Sequence, residues 1–147
     1  MADNNLLIAL GADHAGRDFK RLFKEHLTAK GFETIDFGVE DHVEKADYPV
    51  IAGRVAQAIQ EGRCQLGVLI CGTGAGMAMA ASRYPGIRAA NCQSEYVAGL
   101  VRAHNNANIL TIGQRAVGPG LALAILDTFV STKFEGGRHQ DRIDLMR

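Results

Sequence analysis

The sequence predicts an α/β protein, a Rossmann-like three-layer sandwich built on a five-stranded parallel sheet. Three observations predict it. Short, continuous apolar runs recur along the chain, as strands buried on both faces require. Longer stretches with apolar residues at helical spacing separate them. Strands that alternate with helices in this way build a parallel sheet covered on both faces. At 147 residues the chain has the length of one domain with a sizeable core. Residues 1–147 read as a single unit, with no repeat, low-complexity tract or interdomain linker.

Taken in order, Leu6-Leu7-Ile8-Ala9-Leu10 is the first buried strand. A helix follows with Phe19, Leu22, Phe23 and Leu27 on its apolar face, and Gly31 stops it. Phe32 to Phe37 is the second strand, and Gly38 to Asp47 is a polar loop. Tyr48-Pro49 opens a helix carrying Ile51, Val55, Ala58 and Ile59, with proline where the first turn tolerates it, and Gly62 ends it. Leu66 to Ile70 is the third strand, and a glycine-rich turn follows it directly. Met77 to Arg83 reads as a short helix, Pro85-Gly86 as a turn and Ile87 to Cys92 as the fourth strand. Ser94 is an N-cap for a helix from Glu95 to about Arg102. Ile109 to Ile112 is the fifth strand and Gly118 to Thr132 the last long helix. The tail from Phe134 to Arg147 is charged after Gly136-Gly137.

Composition narrows the function classes. Sixteen basic residues balance sixteen acidic ones, so the chain lacks the basic surface that nucleic acid demands. Cys64, Cys71 and Cys92 form neither a disulfide framework nor a CxxC metal pair, which fits reduced thiols in the cytoplasm. The N-terminus lacks the pattern of a signal peptide, and no apolar stretch is long enough for a membrane span.

A parallel sheet of this kind binds ligands beyond the C-terminal ends of its strands. That rule selects Asp13 and His14, Cys71 to Gly76, Asn91 and Cys92, and Gly113 to Arg115. In Cys71-Gly72-Thr73-Gly74-Ala75-Gly76 the glycines let the backbone approach a ligand, and successive amides converge on an anion. A helix N-terminus favours the thiolate of a cysteine placed there. The same residue also reads as a structural cysteine beside a tight turn. Spacing removes other readings. A dinucleotide fingerprint needs a third glycine where Met77 stands, a thiol phosphatase needs arginine at that same position, and no Gly-Lys-Ser/Thr of a Walker loop occurs.

Arg138 and Arg142 are four residues apart, and in a helix they would grip one phosphate from one face. Taken alone, that tail reads first as a solvated charged segment. Arg115 could join the pair, His139 sits beside it, and His104-Asn105-Asn106 forms a polar cluster after an apolar helix. Asp13-His14 suits either a ligand hydroxyl or a helix cap. His26 and His42 look like surface residues. A thiol, an anion loop, histidines and arginines without metal-ligand spacing suit proton transfer on a phosphorylated substrate.

These residues resemble the ribose-5-phosphate isomerase B family, which includes galactose-6-phosphate isomerase subunits and allose-6-phosphate isomerases. The resemblance is carried in order by Gly11-Ala12-Asp13-His14-Ala15-Gly16, Asp47-Tyr48-Pro49, Cys71 to Gly76, Arg102-Ala103-His104-Asn105, Gly113-Gln114-Arg115 and Glu135-Gly136-Gly137-Arg138-His139 with Arg142. It implies a cofactor-free aldose–ketose isomerase of ribose 5-phosphate and ribulose 5-phosphate, or of a hexose 6-phosphate. A sugar-phosphate- or nucleotide-binding module without catalysis is the reading from another class. The resemblance further implies a homodimer or dimer of dimers whose sites are shared, with the tail 134–147 serving the partner.

By the same resemblance Cys71 is the base and the amides of Gly72, Gly74, Ala75 and Gly76 hold an enediolate. Thr73 and His104 open the furanose ring, while Asp13, His14 and Asn105 bind substrate and Arg115, Arg138 and Arg142 bind its phosphate. Two departures stand out: Asn106 where the family often has aspartate, and Arg17-Asp18 where an aromatic then an acidic residue is commoner. Relatives with a glutamate base differ more, since Ala75 offers no carboxylate.

Overall fold

The computed structural model describes residues 6–38 and 46–146. The expected N-terminal segment Met1–Asn5, His42 and residues 39–45 of the polar loop lie outside them. The strands are β1 (Leu7–Ala12), β2 (Glu33–Asp36), β3 (Leu66–Cys71), β4 (Ala89–Asn91) and β5 (Ile109–Gly113). They form one sheet in the order β2-β1-β3-β5-β4, and every neighbouring pair is parallel. The helices are α1 (Arg17–Ala29), α2 (Tyr48–Gln60), α3 (Ala75–Ala81), α4 (Glu95–Ala103), α5 (Pro119–Ser131) and α6 (Arg138–Asp144).

Side chains alternate across the sheet and build two cores. Ile8, Leu10, Val68, Ile70, Leu110 and Ile112 meet Phe19, Phe23 and Leu27 of α1, Ala98 of α4, and Ile125 and Phe129 of α5. Ala9, Leu69 and Ile109 face the other way, onto Ile51 and Val55 of α2 and Met77 and Ala81 of α3. This is the expected three-layer sandwich. The cores explain why the strands read as unbroken apolar runs, since neither face meets water.

Element bounds differ from the sequence reading where pairing outlasts the apolar run. β1 continues through Gly11 and Ala12, which pair with Leu69 and Ile70 of β3. β3 includes Cys71, paired with Gly113. β2 and β4 are shorter than expected because both are edge strands with one neighbour each. α3 begins at Ala75, two residues earlier than the apolar pattern suggested, so the glycine turn is itself the entry to the helix. Ser94 caps α4 as expected, its Oγ accepting from the Val97 amide at 3.2 Å. His26 is not a simple surface residue. Its ring nitrogen lies 2.8 Å from Asp127 Oδ1, half-buried between α1 and α5. Among the described residues no helix is long and apolar enough to cross a membrane.

Candidate active site

β1 and β3 are neighbours, yet the helices that follow them, α1 and α3, pack on opposite faces of the sheet. That divergence opens a crevice beyond the strand ends, where α/β sheets place their ligands. Asp13-His14 and Cys71 to Gly74 stand in it. The Asp13 amide donates to the Ile70 carbonyl at 3.2 Å, tying the two strand ends together. The Asp13 carboxylate accepts from the Ala15 amide at 2.9 Å, so it caps the short 3-10 turn His14–Gly16. His14 is exposed at the rim.

Cys71 ends β3 with only 6% of its surface exposed. Its Sγ accepts from the Gly74 amide at 3.1 Å. Gly74 has φ +86°, the left-handed conformation that turns this amide back onto the sulphur. Thr73 is exposed, and its Oγ1 accepts from the Ala75 amide at 3.2 Å. The loop after β5 is clamped against this turn: the Gln114 amide donates to the Cys71 carbonyl at 2.9 Å, and the Arg115 amide to the Gly72 carbonyl at 3.0 Å. The Arg115 side chain lies along Gly72, where a Cβ would come within 3.4 Å of its Nη1. One exposed guanidinium therefore flanks the thiol turn.

Cys64 and Cys92 differ in kind. Burial pushes the Cys64 thiol up, against a smaller opposing pull from Arg63. Burial alone pushes Cys92 up to about 11. All three thiols are buried in the cores, and Cys71 is set apart by its place at the end of β3, where its sulphur accepts from a backbone amide.

The second group of expected site residues assembles elsewhere. α4 runs back from the C-terminal end of β4, so His104 at its C-cap lies at the opposite edge of the sheet. β5 separates the edges by about 13 Å, at about 3.3 Å per residue. Here the tail folds back. The Glu135 amide donates to the Ala103 carbonyl at 3.0 Å, and α6 places Arg138 and Arg142 one turn apart, both exposed. The His139 ring stacks on His104 with centroids 4.1 Å apart. Burial first, then the positive charges of His104, Arg138 and Arg142, hold the His139 pKa below its ordinary value, with Glu135 opposing. Asn105 is exposed, and its carbonyl accepts from Arg88 Nε at 3.0 Å. Asn106 has φ +45° and accepts from Arg102 Nη1 at 3.1 Å, so an amide serves in a left-handed position where asparagine is well tolerated.

The expected residues thus fall into two sets. Asp13, His14, Cys71 to Gly76 and Arg115 form one; His104, Asn105, Arg138 and Arg142 form the other. Five residues that the sequence analysis named without assigning them a part in the chemistry also bear on the site. Gln114 links the β5 loop to α1 through its Oε1, which accepts from the Phe19 amide at 3.0 Å. Asn91 and Tyr48 press on Gly74 and Gly76, leaving no room for a Cβ at either. Glu135 meets both histidines, and its spacing of four from His139 was the available signal. Arg17 lines a groove of about 970 Å³ beside His14, together with Lys20, Asp36 and Gln114.

The profile of a family described as ribose/galactose isomerase matches residues 8–146. The chain belongs to the ribose/galactose isomerase family. It is 44% identical to ribose-5-phosphate isomerase B of Escherichia coli over 93% of this chain and 91% of that one. The solved structure of ribose-5-phosphate isomerase B from Clostridium thermocellum superposes with a TM-score of 0.93 at 45% identity, covering 96% of this chain and 95% of the other. That of Mycoplasma genitalium ribose-5-phosphate isomerase B with bound ribulose-5-phosphate gives 0.92 at 40% identity, covering 97% and 94%.

Proposed function

We propose that this chain interconverts ribose 5-phosphate and ribulose 5-phosphate, with Cys71 as the base. The observation that carries the reading is Cys71 Sγ at the end of β3, accepting from the Gly74 amide at 3.1 Å beside the Arg115 guanidinium. The named activity of relatives at 40–45% identity supports the choice of sugar. The Cys71 thiolate takes the C2 proton of the open-chain aldose, and the C–H pair becomes the C1=C2 bond while O1 gains the negative charge. The proton on O2 passes to O1, the C2 carbonyl forms, and the thiol returns its proton to C1. C2 is oxidised as C1 is reduced within one molecule, so the step balances without an outside electron acceptor. The turn amides from Gly72 to Gly76 stabilise the enediolate oxygens. Asp13 and His14 hold sugar hydroxyls.

The separation of the two residue sets supports a site shared between two copies. His104, Asn105, Arg138 and Arg142 of one chain would complete the crevice of the other in a two-fold dimer, His104 with Thr73 opening the ring and the arginines taking the phosphate. Cys71→Ala is expected to lower turnover of ribose 5-phosphate by about 10²–10⁴-fold, and near-normal turnover would refute the cysteine base. Mixing inactive Cys71→Ala with inactive His104→Ala and allowing subunits to exchange is expected to restore about a quarter of wild-type activity, because half the dimers then carry one complete site. A mixture that stays inactive despite exchange would place each site within one chain.

A further inference from the structure

We infer that His104, Glu135 and His139 form a binding site for a divalent transition-metal cation of the Zn²⁺ class, and that the bound cation inhibits the enzyme by holding His104 away from the sugar. The inhibitory half rests on the isomerase reading above; the metal site does not. His104 Nε2 and His139 Nε2 each stand 3.7 Å from Glu135 Oε1, and one ligand atom from each of the three residues lies within 4.8 Å of the others. These contacts are too long for hydrogen bonds. They are close to the edges of a zinc tetrahedron, whose ligand atoms at about 2.0–2.2 Å from the ion stand about 3.3–3.5 Å apart.

The backbone holds the three groups together. The amide of Glu135 bonds to Ala103, the residue before His104. Gly136 (φ +70°) and Gly137 (φ +58°) then turn the chain in conformations that favour glycine, and the His139 amide donates to the Gly136 carbonyl at 3.1 Å. The carboxylate at 135 is thereby brought back onto the ring at 139. The two imidazoles stack nearly parallel, at 9°, so they must splay for both ring planes to meet one ion. His139 is fixed by burial, with its side chain 8% exposed, and His104 at 36% has the freedom to turn. That turn is the proposed means of inhibition.

The donor set selects the ion. Two imidazoles and a carboxylate suit Zn²⁺, Ni²⁺ or Cu²⁺, whereas Mg²⁺ and Ca²⁺ want oxygen ligands. Arg138 and Arg142 add positive charge near His139, which opposes any cation, so affinity at this site has to come from the imidazole and carboxylate donors.

Zinc binding to the full chain is measured by competition with a chromophoric chelator. One Zn²⁺ per chain is expected, unaffected by excess Mg²⁺. Glu135→Gln and His139→Gln should each weaken it by at least about tenfold, and Cys71→Ala should leave it unchanged. Glu135 is 59% exposed, so its amide variant tests the site without disturbing the fold. Zinc should stop turnover of ribose 5-phosphate by the wild type, EDTA should restore it, and both variants should stay active at that zinc concentration. No uptake of zinc, uptake that both variants retain, or uptake lost with Cys71 overturns the site. Full turnover with zinc bound overturns the inhibition. Failure of the isomerase reading would appear separately, as no turnover by the metal-free wild type.

Discussion

Cys71 is distinguished from the other two cysteines by what its sulphur touches. Among the described residues no backbone amide donates to Cys64 or Cys92, and burial raises both thiols. Cys71 has the Gly74 amide, and that amide is aimed by a backbone only glycine adopts with ease. The geometry depends on a second glycine far along the chain. A Cβ on Gly113 would lie 2.5 Å from the carbonyl carbon of Thr73 and 2.6 Å from its Cα. Because those atoms are backbone, the turn must shift to admit it. Gly113→Ala is expected to cut turnover by roughly 100-fold, the cost of a misplacement near 1 Å, and to destabilise the fold by about 1–3 kcal/mol. Steady-state kinetics beside thermal melts of the variant measure the two effects. The glycine turn was visible in the sequence because its residues are consecutive. The part Gly113 plays was not, since a contact between β3 and β5 leaves no local mark.

Among the elements, α1 carries more than its apolar stripe announces. Lys20 lies beside Phe19 with a side chain only 5% exposed, and its Nζ stands 2.9 Å from Asp36 Oδ1 at the end of β2. Asp36 Oδ1 also accepts from the Gly38 amide at 2.8 Å. Removing the lysine takes a positive charge away from a carboxylate only 12% exposed, and breaking such a pair is costly. Lys20→Ala is expected to lower unfolding free energy by roughly 1–3 kcal/mol, read from urea denaturation. A change within a few tenths of that of an exposed lysine would show the pair to be immaterial. Helical periodicity located α1 through Phe19, Phe23 and Leu27 but assigns a lysine to water by default. Its burial follows from where β2 ends, as the burial of His26 follows from α5. The tail shows the converse: the four-residue spacing of Arg138 and Arg142 was legible, and α6 bears it out as a helix.

For the whole molecule, one sheet separates two groups of polar residues by its own height. Cys71 with Arg115 occupies the C-terminal edge, and His104 with α6 the opposite one. The buried thiols also set a pH limit on the fold. Cys92 ionises in the folded state near 11, against an ordinary value near 9. The unfolded chain therefore loses this proton first. The stabilising contribution is complete below about pH 9 and is lost as pH rises toward 11, amounting to roughly 2–3 kcal/mol. Denaturation measured at pH 8 and at pH 10.5 should show that loss, and Cys92→Ala should flatten it. An equal slope in the variant would assign the alkaline loss to other groups.

By itself the sequence determined the layer architecture, the strand-end crevice and the identity of the thiol turn. Each of these is written locally, in apolar runs, helical spacing and glycines beside a cysteine. The ordered motifs from Gly11 to Arg142 carried the family in the same way. Tertiary structure alone decided which of the candidate residues stand together. His104 and Cys71 both read as site residues, yet the direction of α4 sends them to opposite edges of one sheet. Helix direction is set by the crossover to the next parallel strand, so it follows from the whole sheet and not from the residues of either motif. The meeting of Glu135 with two histidines has the same origin, because it needs the tail to return to the end of α4.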